Sequence, residues 1–352
     1  MKKYCTDYNG LPQTKLFMRK ERSGESMNVM RTSKVLILII WGLGGLISCK
    51  QEDINATMST LAANVTDINN YVVSKGISGS YTSSNLYFAL TKASSSTVSA
   101  TYGNELEFTY KLYALSGPSN STITSTTVTN STVVTDRLVD TVYARTPTFI
   151  SFVAGTLKAG LEEGLLKMHE GESATLLVPS GLAFGNVVTA VANGSVPANS
   201  PVRYDVTLNR SRTETQQLNE YTITSGLSFT TTSSGLRIAL TKANSAGDPV
   251  KTALDKGQIV TIRYVGKQLH AKTAFGFDST SASGIQYVGE NFVSGFNEAI
   301  TNLRVGERAT VLFTSSPLGY GNKGLVVGET DKTFKVSPNT PLRYDIEVVS
   351  VR

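Results

Sequence analysis

Cysteine, histidine and tryptophan are scarce in this 352-residue sequence, and the first two shortages exclude particular kinds of site. Both cysteines, Cys5 and Cys49, precede residue 50, so no disulfide can form within the rest of the chain. The two histidines, His169 and His270, have no paired cysteine or acidic ligand cluster. Because a metal site requires several convergent ligands, we expect two solvated surface histidines. With no histidine after His270, a serine triad also has little support.

Outside residues 1–48, basic and acidic residues nearly balance, so the rest of the chain has almost no net charge. The chain carries a formal net charge of +6, and residues 1–48 supply +5 of it through eight Lys or Arg against three Asp or Glu. The remainder has 25 basic and 24 acidic residues. The basic balance that would indicate nucleic-acid binding belongs to a segment that we expect to be removed, so we predict no nucleic-acid partner.

The apolar run at residues 35–48 is shorter than the roughly 18 residues that span a bilayer. Arg31 and Lys34 precede it and small residues end it, as in a signal peptide. Its ending, LISC, resembles the bacterial lipobox, which implies that Cys49 is lipidated and becomes the first residue after cleavage. An ordinary signal peptide or a short anchor helix is the alternative.

The lipobox resemblance places the protein in the cell envelope. Residues 1–48 would be an upstream segment and a lipoprotein signal peptide, and Cys49 would anchor the mature chain to a membrane without spanning it. Lys50 after the cysteine resembles outer-membrane sorting in lipoproteins, so we expect an outer-membrane location.

Two passages of eight residues are nearly identical and stand 140 positions apart. NSPVRYDV begins at Asn199 and NTPLRYDI at Asn339, and ALTKA also occurs twice. The spacing is too long for a solenoid, whose repeats span roughly 20 to 50 residues, and indicates two copies of a whole domain. The predicted divisions are a linker with a short helix at 49–80, a first domain at 81–212, a second linker at 213–232 and a second domain at 233–352.

Each copy surrounds one helical pattern with strand patterns. ELEFTYKLYA and QIVTIRYVGKQL alternate as half-buried strands do. AGLEEGLLKMHEG and SGFNEAITNLRVGE are typical of short helices that end at glycine. VRYDVTL and LRYDIEVV indicate further strands. The order predicts an α+β domain in which an antiparallel sheet packs over one short helix.

Five blocks of the second copy resemble the FKBP-type peptidyl-prolyl cis-trans isomerases: IRYVG, FGFDST, FVSGFNEAITNLRVGERATVLF, PLGYG and VSPNTPLRYDIEV. GLEEGLLKMHEGESATLLVPSGLAFG and VPANSPVRYDVTL of the first copy resemble the same family, as in tandem-domain bacterial (Bacteroidetes-like) lipoproteins. The resemblance implies two FKBP-like domains, each an antiparallel sheet wrapped around one short helix. It also implies isomerisation of X–Pro bonds without a cofactor, and proline-containing segments of envelope proteins as partners whose folding is assisted.

Rotation about an X–Pro bond needs neither a nucleophile nor a metal. Its barrier of ~20 kcal/mol arises from amide resonance, and a water-poor apolar cup with donors to the twisted carbonyl lowers it. The resemblance assigns the cup walls to Tyr264, Phe277, Phe296 and Tyr344. It places Asp278 as a carboxylate at the rim, Val293 with its neighbour Phe292 as the backbone donor, and Tyr320 as the hydroxyl donor. Phe296 stands where the family usually has tryptophan.

The first copy departs further from the family. Tyr110 and Tyr204 match Tyr264 and Tyr344. The other cup positions change. Leu161 replaces the aromatic floor, and Phe184 replaces the donor tyrosine. Lys158 stands in place of a branched apolar residue, and Val139–Asp140 in place of Phe-Asp. A charged side chain weakens an apolar cup, so the sequence predicts activity in the second copy only.

Two rival hypotheses belong to other functional classes. Both copies could keep the fold and hold a partner protein at the cell envelope without catalysis, which the missing tryptophan and Phe184 favour. An unrelated all-β adhesion or glycan-binding lipoprotein is favoured by the Ser/Thr-rich strands and opposed by the helix pattern in each copy. The presence or absence of that helix separates the second rival from the others.

Overall fold

The computed structural model describes residues 33–117, 134–143, 145–270, 274–327 and 333–352, with side chains from residue 53 onward except at Thr333. The chain divides into two compact units, Met1–Thr57 and Met58–Arg352. Residues 1–32 of the predicted upstream and signal segment lie outside the described part, as do the side chains through residue 52, including that of Cys49. Within the described ranges, no helix offers a stretch of 18 residues apolar enough to cross a membrane.

The first half of the chain forms an antiparallel sheet with one helix on each face. Its elements are α1 Ser33–Lys75, β1 Ser80–Tyr81, β2 Tyr87–Lys92, β3 Glu105–Ser116, β4 Thr135–Val142, β5 Thr148–Ser151, α2 Ala159–Leu166, β6 Ser173–Val178, β7 Thr189–Val191, β8 Gly194–Val196 and β9 Val202–Arg212. The sheet order is β1-β2-β6-β9-β3-β4, with β5 paired to β3. Leu176 of β6 is buried in the cluster that contains α2, and Leu177 in the cluster that contains α1. Because successive strand residues point to opposite faces, α2 and the end of α1 that carries Ile68 and Tyr71 pack on opposite sides of the sheet.

The second half repeats this arrangement. Its elements are α3 Glu214–Thr224, β10 Thr230–Thr231, β11 Arg237–Lys242, α4 Val250–Asp255, β12 Val260–Leu269, β13 Ala274–Ser279, β14 Ile285–Gln286, α5 Ser294–Thr301, β15 Arg308–Phe313, β16 Leu325–Val327, β17 Thr333–Val336 and β18 Leu342–Val351. The order β10-β11-β15-β18-β12-β13, with β14 paired to β12, matches the first sheet strand for strand. Val311 packs in the cluster of α5, and Leu312 in that of α3. The α+β prediction is confirmed, and the all-β hypothesis is wrong.

The repeated passage forms the same structure twice. Asn199 and Asn339 have φ angles of +57° and +50°, a region that asparagine tolerates better than most residues. The strands that follow, β9 and β18, lie in the middle of their sheets. Along β18, Tyr344 is buried while Arg343 and Asp345 lie on the opposite, half-exposed face, which is the two-residue alternation of a strand.

The segments predicted as linkers contain helices that pack on the outer faces of the sheets. Asn64 of α1 is fully buried, and its amide oxygen accepts from the backbone N–H of Ser180 at 2.7 Å. Glu214 of α3 accepts from the backbone and the hydroxyl of Ser315, at 2.5 and 2.6 Å. Burial raises the pKa of the Glu214 carboxyl, while its two hydrogen bonds from Ser315 oppose that rise. Each helix therefore braces the loop that follows β6 or β15.

A buried ionic cluster lies where the two sheets meet. Arg212, 2% exposed, contacts Glu105 at 2.8 Å, Glu107 at 3.2 Å and Glu220 at 3.4 Å. His270, at the end of β12, also bonds to Glu105 through Nδ1. The prediction of two solvated histidines is therefore wrong for His270, whose side chain is 12% exposed, because the neighbouring sheet covers it.

Candidate functional site

An aromatic cluster fills the space between α5 and the inner face of the second sheet. Alternation along the strands aims these rings at the helix, since every second residue faces the same side. Phe296, in the first turn of α5, is fully buried between them. The cluster contains six predicted site residues and Phe313: Tyr264, Phe277, Phe292, Phe296, Phe313, Tyr320 and Tyr344.

Phe296 is the hub of this cluster. Its ring centroid lies 5.2 Å from that of Tyr264 and 4.9 Å from that of Tyr344, both in edge-to-face geometry. Phe277 stands edge-on to Tyr344 at 5.7 Å and to Tyr320 at 6.2 Å. Edge-to-face pairs at these distances are favourable, so the predicted walls form one packed aromatic surface.

Polar groups meet the aromatic surface on one side. The Tyr264 hydroxyl donates to the Asp278 carboxylate at 2.8 Å, and the backbone N–H of Ser279 donates to the other oxygen at 3.0 Å. The Tyr344 hydroxyl is hydrogen-bonded to Tyr320. Burial, followed by the hydrogen bond to Asp278, raises the pKa of Tyr264, and burial also raises those of Tyr320 and Tyr344. All three phenols are therefore protonated donors at neutral pH.

The predicted backbone donor lies at the start of α5. Val293 precedes the helix with extended angles, φ −68° and ψ 156°. Among the residues that the structure describes, none accepts a hydrogen bond from its N–H, as is usual at a helix N-terminus. Gly295 allows this end of the helix to approach the sheet, because a Cβ there would lie 2.8 Å from the Phe313 ring and 2.9 Å from Leu318.

The Phe292 ring covers the floor of the cup, which sequence reasoning missed. It stacks on Phe296 with centroids 4.3 Å apart and planes 13° apart. Tyr287 stacks on the Phe292 ring with centroids 5.8 Å apart, and the Tyr287 hydroxyl donates to Asn297 at 2.7 Å. The Phe292 and Phe296 side chains are four positions apart across the start of a helix, and that spacing is the signal that could have indicated their contact.

The first sheet has a more open version of the same site. A cleft of about 440 Å³ is lined by Tyr110, Asp140, Lys158, Leu161 and Phe184, among others. Tyr110 donates to Asp140 at 2.8 Å, the distance found between Tyr264 and Asp278. Val139–Asp140 therefore lies where Phe277–Asp278 lies in the second sheet, and Val139 is fully buried in the core.

A second cleft, of about 540 Å³, lies on the outer face of the second sheet. Its charged groups neutralise one another, since Glu347 pairs with Arg263 at 3.2 Å and with Arg308 at 3.0 Å. In the part of the chain that the structure describes, no three His, Cys, Asp or Glu side chains are grouped as metal ligands.

Comparison with protein families gives two matches along the chain. The family profile described as FKBP-type peptidyl-prolyl cis-trans isomerase matches residues 120–209 and 250–349. A probable FKBP-type peptidyl-prolyl cis-trans isomerase FkpA from Neisseria meningitidis serogroup B is 29% identical over 123 residues. That match covers 34% of this chain and 39% of the relative, so the chain spans about two fifths of the relative's length.

Similar solved structures come from plants and bacteria. The three FKBP domains of wheat FKBP73 match 76% of this chain and 94% of that chain, with 17% identity and a TM-score of 0.32. FkpA from Escherichia coli matches 52% of this chain and 74% of that chain, with 16% identity and a TM-score of 0.31. AtFKBP13 matches 36% of this chain and 99% of that chain, with 23% identity and a TM-score of 0.29.

Proposed function

Because the chain belongs to the FKBP-type peptidyl-prolyl cis-trans isomerase family, we propose that its second sheet isomerises X–Pro bonds through the aromatic cup around Phe296. The observation that carries this proposal is the Tyr264–Asp278 hydrogen bond of 2.8 Å beside the cup, together with Tyr320 on the same side. The cup and these polar groups together place an apolar surface beside oriented hydrogen-bond donors, which is what catalysis of amide rotation requires.

The aromatic walls act on the resonance of the amide. A planar X–Pro amide carries separated charge, and its twisted transition state carries less. Rings of Phe277, Phe296 and Tyr344 exclude water from the prolyl ring and so favour the less polar twisted form. The hydrogen-bonded Asp278 orients Tyr264 and the bound amide at the rim.

The donors hold the carbonyl groups of the substrate. The N–H of Val293 points out of the first turn of α5 and binds the carbonyl of an incoming extended peptide. The Tyr320 hydroxyl, whose ring stands edge-on to Phe277, donates to a second substrate carbonyl. A buried donor of this kind needs no reorganisation as the bond rotates.

Substrate entry requires Phe292 to move. Its ring lies on the face of Phe296 that the prolyl ring would contact, with centroids 4.3 Å apart. Rotation of the Phe292 side chain away from α5 exposes the floor without displacing the backbone donor of Val293. The cup therefore opens before it binds.

Isomerase activity is tested by NMR measurement of cis-to-trans exchange of a short X–Pro peptide with the full chain. Asp278→Ala and Tyr320→Phe should each lower kcat/KM by about tenfold, roughly the effect of one lost hydrogen bond. Asp255→Ala serves as the control, since that carboxylate lies on α4 and is 66% exposed. If the full chain leaves the exchange rate at background, the proposal fails.

The cell envelope is the proposed site of action, with Cys49 as the lipid attachment point and proline-containing segments of envelope proteins as substrates, whose folding is assisted. In cells fed labelled palmitate, the protein should carry the label and sediment with membranes, and Cys49→Ser should do neither. Label retained by the Cys49→Ser variant would contradict attachment at this residue.

A partner-holding role without catalysis is the second candidate. The full burial of Phe296 under Phe292 favours it, since a permanently covered floor cannot contact a prolyl ring. The exchange measurement above separates the two functions, because a holding protein would bind the peptide without changing its rate.

A further inference from the structure

The open cleft of the first sheet differs chemically from the cup of the second. We infer that it is a separate binding site for an extended polypeptide that places an apolar residue in the cleft and an acidic side chain beside it, held by Lys158. The inference is independent of catalysis by the second sheet. It assigns a ligand class to the copy whose sequence departs further from the family.

Lys158 occupies two roles that separate residues fill in the second cup. It directly precedes α2, as Val293 precedes α5. Its ammonium lies 5.1 Å from the centre of the Phe184 ring, and Phe184 stands where the second copy has Tyr320. A cationic donor therefore replaces the missing hydroxyl donor on that side of the cleft. Ammonium groups bind carboxylates more strongly than neutral carbonyls.

The two carboxylates near the cleft are engaged elsewhere. Asp140 accepts from the Tyr110 hydroxyl at 2.8 Å and from the Thr141 N–H at 2.7 Å. Glu162 accepts from the Tyr102 hydroxyl at 2.6 Å and from the Gly155 N–H at 2.9 Å. Within the described ranges, no acidic side chain lies within 4 Å of the Lys158 ammonium. The lysine thus remains available to an incoming anion.

The walls of the cleft suit a short apolar group. Leu161, 4% exposed, replaces the aromatic floor, and Leu157 stands where the second copy has Phe292, so an aliphatic side chain takes the place of the stacked ring. Tyr110 and Tyr204 form one wall with ring centroids 5.6 Å apart. The volume of about 440 Å³ lies in the range of ligand pockets and admits a few residues of an extended chain.

A polypeptide fits better than an anionic lipid. The carbonyl groups of an extended chain can accept from the backbone N–H of Lys158, which precedes the helix and has no acceptor among the described residues. A fatty acid would offer one carboxylate and no further acceptor along its length. The combination of a backbone donor, an ammonium and an apolar cleft matches a peptide with an acidic residue next to an apolar one.

Methyl NMR of the full chain can locate binding in one cup or the other. The probes are acetyl-Ala-Glu-Pro-Phe-amide and its Gln counterpart, and the reporters are the methyl groups of Leu157 and Leu161 in the first cleft and of Val293 in the second. We expect the acidic peptide to shift Leu157 and Leu161 with an affinity about tenfold higher than the neutral one. Added salt should reduce this difference.

Variants of the lysine complete the test. Lys158→Met should abolish the preference for the acidic peptide and Lys158→Arg should keep it, while Lys167→Met, at the other end of α2 and exposed, should change nothing. Equal affinity for the two peptides, or an unchanged preference in Lys158→Met, overturns the inference. A shift of Leu157 and Leu161 by decanoate but by neither peptide would also overturn it, in favour of an anionic lipid.

Discussion

Replacement of Arg212 by methionine should lower the free energy of unfolding of the full chain by about 3–5 kcal/mol, the range for removing one partner of a buried ion pair. The side chain is 2% exposed, and it contacts Glu105 and Glu107, which are 3% and 5% exposed. Methionine fills a similar volume but removes the guanidinium that both buried carboxylates contact. Loss of this charge-assisted contact inside the fold destabilises it more than the small change in packing does.

Arg210 provides the matched control. It also pairs with Glu220, at 3.3 Å, but its side chain is 43% exposed. Arg210→Met should therefore change the free energy of unfolding by less than about 1 kcal/mol, as is usual for exposed pairs. Both values can be measured by urea denaturation at neutral pH. Equal losses in the two variants would mean that solvent reaches the Arg212 cluster and that burial does not strengthen it.

Replacement of Phe292 by valine should raise kcat/KM for an X–Pro peptide by about tenfold. The stacked pair of Phe292 and Phe296 stabilises the covered cup by about 0.5–1.5 kcal/mol beyond its buried area. Only the uncovered fraction binds, so the apparent affinity is reduced by that fraction. Valine is too short to cover Phe296, and it leaves the backbone of Val293 in place.

Phe275→Val is the control for this change. Phe275 is 54% exposed and lies on β13 outside the aromatic cluster, so loss of its ring should leave the rate unchanged. Phe292→Trp keeps the cover and should lower kcat/KM. A fall in kcat/KM for Phe292→Val would show that the ring contacts the substrate as a wall of the cup and does not cover the floor.

Local patterns predicted the strands and the inner helices because each copy repeats the alternation of its residues. The passage that contains Tyr204 and Tyr344 indicated a strand from its two-residue period, and both tyrosines are buried on the inner face. The contact of Asp140 with Tyr110 also agrees with the predicted match to Asp278 and Tyr264, despite the insertion before it. The strands and inner helices depend on residues close together in sequence, and the Asp140–Tyr110 contact depends on a strand pairing that both copies share.

Features that depend on contacts between distant segments could not be predicted. His270 was expected at the surface, and it bonds to Glu105, 165 positions away. The ionic cluster of Arg212 likewise combines residues from β3, β9 and α3.

Helix α3, which lies in the segment predicted as a linker, contacts both sheets and so connects them rigidly. Glu220 of α3 bonds to Arg210 and Arg212 at the end of the first sheet, and Glu214 bonds to Ser315 in the second. For a flexible connector, the local concentration of one site near the other depends on linker length. Here the local concentration depends on the fixed geometry of α3. A polypeptide bound by one cup therefore reaches the other cup only if its own length matches the distance between the two cups.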